Sequence, residues 1–294
     1  MSGIQARRTP SDLATPVAVN AFDVNPFVVN AFDVAVEVQV EGDRAEEVAE
    51  RLPSLWELCA PTGDRAGRSA RDAAVRVVFD SDPAVTALAA GAGHVSRERL
   101  EDLLQVLTQR ITLAAIDAQA GRHLMLHAAC LAEPSTGAAA AFVAPGGTGK
   151  TTFVRTLAMG RWYVTDETTV VNDDGTVVPY PKPLSVRRSP GSLFKDEMAP
   201  RAAGLRPPEG PVRLAALGLL DRDEHHVGPP VVETLDTLDA VLALVPQTSH
   251  LPELERPLQR LAALCESLGG VHRVTYREAA DVAGWVEELL GGPA

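Results

Sequence analysis

The chain has 294 residues, enough for one large domain or two of ordinary size. Hydrophobic residues make up 46% of it and charged residues 22%, which excludes a mainly disordered chain and is typical of a folded globular protein. The 27 basic and 39 acidic residues leave a net charge of −12, which argues against a surface that wraps nucleic acid or binds anionic lipid.

Cys59, Cys130 and Cys265 lie far apart in apolar runs. This spacing fits neither a disulfide framework nor a zinc site, so we expect three buried thiols. The sequence contains no run of about 18 apolar residues, the length that a membrane-spanning helix needs. Together these features favour a cytoplasmic protein that has no membrane partner.

Residues 1–118 are predicted to form a small α+β domain, with a loose end at 1–16. Residues 19–24 recur unchanged at 29–34, which we interpret as two similar strands. Valines alternate with other residues from 34 to 40, the period of a half-buried strand. The other predicted elements here are a helix over 44–59, a strand over 74–79 and a long helix that Ser96 caps.

The remainder, 119–294, has a different sequence pattern, which predicts alternating strands and helices. Strands are predicted over 124–131, 138–144, 161–165, 212–220 and 271–276, and a hairpin over 169–178. Helices are predicted over 150–159, 231–244, 254–268 and 278–290. Residues 189–211 are rich in proline and glycine and are predicted to form a mobile loop, long enough to close over a substrate.

The most informative segment joins the 138–144 strand to the helix that begins at Lys150. Its residues are Ala144, Pro145, Gly146, Gly147, Thr148, Gly149, Lys150, Thr151 and Thr152. A glycine-rich turn between a strand and a helix is typical of a phosphate-binding P-loop, whose backbone N–H groups and helix N-terminus face phosphate oxygens. Lys150 would contact the β and γ phosphates, and the Thr151 hydroxyl would ligate Mg²⁺. The motif departs from its usual form at Ala144, which replaces a glycine.

An acidic pair, Asp166 and Glu167, follows the next predicted strand. The separation from Lys150 is 166 − 150 = 16 residues, which leaves room for one short helix, a turn and a strand. We therefore expect both carboxylates near the phosphates, at the edge of the sheet where α/β proteins bind ligands. One could hold Mg²⁺ and the other could accept a proton from an attacking hydroxyl.

His127 lies on the predicted strand that precedes the P-loop strand. A single histidine in an apolar strand is more often a core residue than a functional one. Sequence pattern alone therefore leaves both interpretations open for His127.

His127, the P-loop and the sequence Val164–Glu167 together resemble the catalytic core of the HPr kinase/phosphorylase superfamily, whose wider kin includes phosphoenolpyruvate carboxykinase. Within it, the chain is most similar to the HPr-kinase-like enzymes that modify peptides, such as those that phosphorylate lasso peptides. The resemblance covers about residues 121–190 well and about 191–290 in outline. It implies an α/β fold for 119–294, a P-loop core with a mixed sheet, which follows the smaller α+β N-terminal domain predicted at 1–118 from its own pattern.

The resemblance also implies roles for individual residues. Asp166 would be the general base toward the acceptor hydroxyl, Glu167 would assist Mg²⁺ binding, and His127 would lie close to the base. Lys182 and Arg187 follow the predicted hairpin, where they could meet phosphate or the acceptor. The founding family forms hexamers, so a homo-oligomer is one option for this chain.

The function that these expectations favour is an ATP- and Mg²⁺-dependent kinase, which phosphorylates a hydroxyl, in the first place serine, of a peptide or protein. Two alternatives stay open: a small-molecule P-loop kinase, and a nucleotide-binding regulator that transfers nothing. The acceptor, the choice of ATP over GTP, the reversibility of the reaction and the role of residues 1–118 are not written in the sequence.

Overall fold

The computed structural model describes residues 25–61, 72–189 and 191–291, so the predicted loose end and the first copy of the repeat lie outside the described residues. The described residues form four sheets and seven α-helices. The strands are β1 (Phe27–Ala31), β2 (Val34–Glu41), β3 (Asp72–Val78), β4 (Leu124–Leu126), β5 (Ala128–Ala132), β6 (Ala138–Val143), β7 (Trp162–Thr165), β8 (Thr169–Val171), β9 (Val177–Val178), β10 (Leu184–Arg187), β11 (Lys195–Met198), β12 (Arg213–Arg222), β13 (Val231–Leu235), β14 (Thr248–Ser249) and β15 (Val271–Tyr276). The helices are α1 (Ala45–Leu55), α2 (Pro83–Gly91), α3 (Leu100–Ala118), α4 (Lys150–Leu157), α5 (Thr237–Leu244), α6 (Pro257–Ser267) and α7 (Ala283–Leu289).

The first three strands form a sheet of their own, in the order β1-β2-β3. The predicted strand at 34–40 is confirmed as β2, whose alternate residues are buried. The second copy of the repeat, 29–34, is not a strand by itself, because it spans the end of β1, a turn and the start of β2. Phe32 and Asp33 have φ angles of 54° and 61°, and two successive positive values are typical of a tight hairpin turn.

The helices of this part differ in detail from their predictions. The prediction that Ser96 caps the long helix is wrong, because α3 begins four residues later with Arg99 at its N-cap. The buried Ser96 hydroxyl has no hydrogen-bond partner among the described residues. α1 ends at Leu55, and a separate 3-10 turn follows over Glu57–Cys59.

The largest sheet has six strands in the order β13-β15-β12-β6-β5-β7. β12 is parallel to β6 and to β15, whereas β5 is antiparallel to β6 and to β7. β6 and β7 therefore run in the same direction on either side of β5, and both end at the same edge of the sheet. The fold is α/β with a mixed sheet, as the sequence predicted.

Helices cover both faces of the six-stranded sheet. Ala128, Cys130 and Ala132 of β5 belong to the core beneath α5 and α6, whereas Ala129 and Leu131 belong to the core beneath α4 and α7. This alternation follows from the two-residue period of a strand. It produces three layers, with the sheet between two layers of helices.

A second sheet, in the order β14-β4-β8-β9, lies beside the first. The predicted continuous strand at 124–131 is two strands in the structure, because the chain leaves this sheet after Leu126 and joins the six-stranded sheet at Ala128. His127 occupies the break between them. β8 and β9 are the predicted hairpin around residues 172–175.

Two further predictions need correction. The predicted helix at 231–244 is a strand, β13, followed by α5, because the Asp236 side chain accepts a hydrogen bond from the Asp239 amide and caps the helix there. The valines before Asp236 pair with β15 instead. Residues 189–211 contain more regular structure than the predicted loop, since β11 pairs with β10 and residues Arg201–Ala203 form a 3-10 turn.

The core around β1–β3, α1 and α3 also contains residues from the later part of the chain. Met125, Val170, Val178 and Tyr180 all pack into it. The Tyr180 hydroxyl lies 2.9 Å from the hydroxyl of Thr112 on α3. The parts before and after residue 118 therefore share one hydrophobic core.

Two remaining observations bear on the sequence predictions. Cys59, Cys130 and Cys265 are free and buried, as expected. Among the described helices, none combines the length and the apolar character that crossing a bilayer requires.

Candidate phosphate-binding site

The P-loop joins the end of β6 to the start of α4, the arrangement that its sequence predicts. Gly147 and Gly149 have φ angles of 87° and 105°, which L side chains rarely adopt. Gly149 is also the N-cap of α4, so the free N–H groups of the first helical turn follow it directly. Ala144 is buried and is not among the residues with positive φ, so its Cβ causes no backbone strain where the motif usually has glycine.

Lys150 is the first residue of α4, and its side chain bends back over the loop. Its Nζ donates to the carbonyl oxygens of Ala144, at 2.6 Å, and Pro145, at 3.2 Å. Burial lowers the pKa of Lys150 to about 8, although Glu167 and Asp166 act in the opposite direction. The ammonium is thus held beside the loop amides by carbonyl groups, which a phosphate could replace.

Asp166 follows the end of β7 and meets the P-loop across the width of one strand. Its Oδ2 accepts a hydrogen bond of 2.6 Å from the Thr151 hydroxyl, and its Oδ1 accepts one of 3.0 Å from the Tyr163 hydroxyl. Asp166 is 4% exposed. The parallel directions of β6 and β7 explain the contact, because both strands deliver their following residues to the same edge of the sheet.

Lys182 is the buried counter-ion of the acidic pair. Its Nζ lies 2.9 Å from Oδ1 of Asp166 and 3.2 Å from Oε2 of Glu167, and it donates to the Pro183 carbonyl at 2.9 Å. Burial acts to lower the pKa of Lys182, but the two carboxylates outweigh it and hold that pKa above its usual range. Lys182 therefore carries its charge and neutralises part of the charge of the acidic pair.

His127 stands at the junction of the two sheets, next to the loop. Its backbone N–H donates to the Gln247 carbonyl at 2.7 Å, and its own carbonyl accepts from the Ala144 N–H at 3.4 Å. The imidazole is half-buried, and burial together with the charge of Lys150 lowers its pKa. The ring is thus favoured in its neutral form beside the P-loop.

A cavity of about 510 Å³ brings most of the predicted site residues together. His127, Lys150, Thr151, Asp166, Glu167, Lys182 and Arg187 all line it. Gly146, Gly147, Gly149 and Thr152 do so as well, whereas Pro145 and Thr148 of the predicted loop do not. The Arg187 guanidinium donates to the Ser192 carbonyl.

Sequence reasoning missed several residues of the site. Tyr163 contacts Asp166 from the core, but it lies in a strand three residues before Asp166, where regular spacing predicts opposite faces. Gln109, Arg155, Ser185, Arg188 and Lys195 line the cavity. Gln109 belongs to α3, and no sequence pattern indicates that this helix reaches the P-loop.

The residues proposed for a magnesium ion offer the oxygen ligands that such an ion requires. Mg²⁺ in nucleotide sites is held by oxygen ligands, with one or two carboxylates completed by phosphates and water. Thr151 and Asp166 supply a hydroxyl and a carboxylate in direct contact, and Glu167 lines the same cavity. The described residues contain no cluster of three or more His, Cys, Asp or Glu side chains that could hold a metal ion without a nucleotide.

Comparisons with known proteins give little more. No family model matches the sequence, and no curated protein does so. Among solved structures, the chain is similar to the HPr(Ser) kinase/phosphatase from Coxiella burnetii, with 11% identity and a TM-score of 0.32 over 57% of this chain and 93% of the other. A TM-score this low establishes neither a family nor an activity.

Proposed function

We propose that the protein is a kinase that transfers the γ-phosphoryl group of ATP, with Mg²⁺, to a hydroxyl of a peptide or protein, in the first place serine. The observation that carries this proposal is the 2.6 Å hydrogen bond between Thr151 of the P-loop and Asp166. It joins a loop suited to phosphate to a carboxylate suited to a metal ion or an attacking hydroxyl.

The donor is held by the P-loop in this proposal. The backbone amides from Gly146 to Thr151 and the N-terminus of α4 bind the terminal phosphates. Lys150 exchanges its carbonyl partners in the loop for phosphate oxygens. Magnesium, bound with the nucleotide by Thr151, Asp166 and Glu167, supplies charge neutralisation for the transferred group.

The acceptor is oriented by the carboxylates in this proposal. Asp166 accepts the proton of the acceptor hydroxyl once the nucleotide draws Thr151 away from its Oδ2. Tyr163 and Lys182 hold the other oxygen of Asp166 in place. Transfer of a phosphoryl group has a loose transition state, so positioning and charge matter more than a strong base.

One observation favours a second candidate, a nucleotide-binding regulator that transfers nothing. Lys182 and Tyr163 contact Oδ1 of Asp166 and Thr151 contacts Oδ2, so both carboxylate oxygens already have partners. A regulator would bind ATP through the same P-loop but would release no ADP in response to an acceptor.

The two candidates are separated with the purified full chain, Mg-ATP and serine peptides. We expect Lys150→Ala to abolish transfer and to weaken ATP binding. Asp166→Asn should keep ATP binding but lose about 10²- to 10⁴-fold in transfer rate, the usual contribution of a positioned acid or base. If Asp166→Asn retains more than about a tenth of the wild-type rate, Asp166 is not the base.

The matched controls are Arg277→Ala and Asp239→Asn, which change exposed charges outside the cavity. Both should leave the transfer rate and the affinity for ATP unchanged. ATP binding without acceptor-dependent ADP release in the wild type would favour the regulator. Absence of ATP binding would overturn both candidates.

A further inference from the structure

Arg187 and Lys195 form a like-charged pair on the hairpin β10–β11. The two residues are directly opposite each other in the antiparallel register, so their side chains leave the same face. Like charges at such positions are unfavourable. Neither residue forms an ion pair with a carboxylate among the described residues, whereas Arg188 beside them pairs with both Asp102 and Asp196.

Both members of this pair line the cavity of the candidate site. Lys150, Lys182 and Lys195 are the only lysines in the sequence, and all three line that one cavity. Lys182 is neutralised by the acidic pair and Lys150 belongs to the P-loop, so Lys195 and Arg187 are left without a carboxylate partner among the described residues. Lys150 of the P-loop and Lys195 of the hairpin line the same cavity.

The hairpin is held in position by α3. The backbone N–H of Lys195 donates to the Gln105 side chain at 3.0 Å, and the Arg188 guanidinium contacts Asp102 at 2.7 Å. These contacts orient the backbone on which Arg187 and Lys195 lie. A preorganised pair of cations binds an anion at a lower entropic cost than two free side chains do.

We propose that Arg187 and Lys195 bind the carboxylates of an acidic acceptor peptide, next to the hydroxyl that is phosphorylated. This inference rests on the proposed function and names the class of its acceptor. The hairpin is a separate element from the P-loop, but both line the same cavity, so an anion on the pair would share that cavity with the terminal phosphate of the donor. Because the whole chain carries a charge of −12, an acidic peptide needs a local positive surface to approach at all.

The end of the hairpin favours a peptide over a small anion. Leu193 and Phe194 immediately precede Lys195 and are 84% and 56% exposed. A peptide that places a carboxylate on Lys195 can cover these apolar side chains with its neighbouring residues. Exposed apolar surface beside a charged site is typical of a protein-binding surface.

The inference is tested by binding of two labelled serine peptides to the full chain, measured by fluorescence anisotropy. One peptide has aspartates on both sides of the serine, and its twin has asparagines there. We expect Arg187→Gln and Lys195→Gln each to lower the affinity for the aspartate peptide about three- to tenfold, the usual effect of losing one charge-assisted contact. The asparagine peptide and ATP should bind the variants as they bind the wild type. Arg76→Gln, an exposed strand arginine outside the cavity, is the matched control.

Acetylation of lysines, followed by mass spectrometry, separates the acceptor from the donor. We expect the aspartate peptide to protect Lys195, and ATP alone to protect Lys150 but not Lys195. Protection of Lys195 by ATP alone, or unchanged peptide affinity in both variants, would overturn the inference. Peptide binding is measured without phosphoryl transfer. The kinase proposal is tested by a different assay, and it fails if the acceptor causes no release of ADP.

Discussion

The Lys182 ammonium and the Asp166 carboxylate form a buried ion pair with a separation of 2.9 Å. Both side chains are almost completely removed from water. We expect Lys182→Met to lower the free energy of unfolding by about 3–5 kcal/mol, because it leaves the Asp166 charge buried with one partner fewer. Urea denaturation followed by circular dichroism measures the loss.

The double variant Lys182→Met/Asp166→Asn separates the ion pair from the loss of packing. It should lose less stability than the sum of the two single variants, since it removes both charges. Lys195→Met, at a lysine of the same cavity without an ion pair, should change stability by no more than about 0.5 kcal/mol. Additive effects of the two single changes would show that the pair contributes nothing.

Tyr163 is predicted to position Asp166 without touching the substrate. Its hydroxyl donates to Asp166 and lies 3.1 Å from the Lys182 carbonyl. Tyr163→Phe should lower the turnover rate while leaving the affinity for ATP unchanged, because the freed carboxylate can rotate. The loss of stability should be about 1–2 kcal/mol.

The matched control for this change is Tyr180→Phe. Tyr180 is equally buried, and its hydroxyl contacts Thr112 rather than the candidate site. It should lose similar stability and keep the wild-type turnover rate. Equal turnover rates in Tyr163→Phe and the wild type would assign Tyr163 to the core alone.

Glu197 on β11 predicts a dependence of stability on pH. Burial raises the pKa of its carboxyl from 4.5 to about 7, although Lys182 and Ser185 act against the rise. Its Oε1 accepts from the Ser185 hydroxyl at 2.7 Å, and its Oε2 has no partner among the described residues. Between about pH 4.5 and 7 the unfolded chain loses this proton first, so the contribution of Glu197 to stability falls as the pH rises.

Glu197→Gln removes this titration. Relative to the wild type, the variant should gain about 3 kcal/mol in unfolding free energy between pH 4.5 and pH 8, since each pKa unit is worth about 1.4 kcal/mol. Urea denaturation at a series of pH values measures the difference. Glu233→Gln, at an exposed glutamate of β13, should show no such gain. A constant difference between Glu197→Gln and the wild type over this range would contradict the shift.

Asp102 is predicted to anchor the hairpin β10–β11 to α3. Asp102→Asn weakens the contact with Arg188, so the amides of Lys195–Met198 should exchange with deuterium faster than in the wild type. The neighbouring Glu101→Gln affects only a 3.9 Å contact with Arg99 and should leave this exchange unchanged. Unchanged exchange in both variants would mean that packing, rather than the ion pair, holds the hairpin.

The sequence predicted the P-loop region well because its signals are local. Gly147 and Gly149 follow an apolar strand and precede a helix, and the backbone angles agree with that pattern. To predict that Asp166 lies close to Thr151, one must also know that β6 and β7 run in the same direction and end at the same edge of the sheet. The role of each residue remains a prediction.

Other parts of the site could not be read from local patterns. Lys182 was expected near phosphate or acceptor, which stays a prediction, but its role as the counter-ion of Asp166 is a long-range contact that no local pattern indicates. The helix predicted at 231–244 was wrong because apolar spacing does not distinguish a short strand and helix from one longer helix. In the structure, the cap at Asp236 marks the start of the helix, and the residues before it pair with β15 as a strand.

The core shared between the two parts of the chain has a practical consequence for dissecting the protein. A fragment that begins at residue 119 would expose Met125, Val170, Val178 and Tyr180 to water, and the complementary fragment would expose the residues that cover them. Each fragment would carry an exposed apolar surface and tend to aggregate. The two fragments made together in one cell should instead reassemble without a covalent link, as complementing halves of a single folding unit.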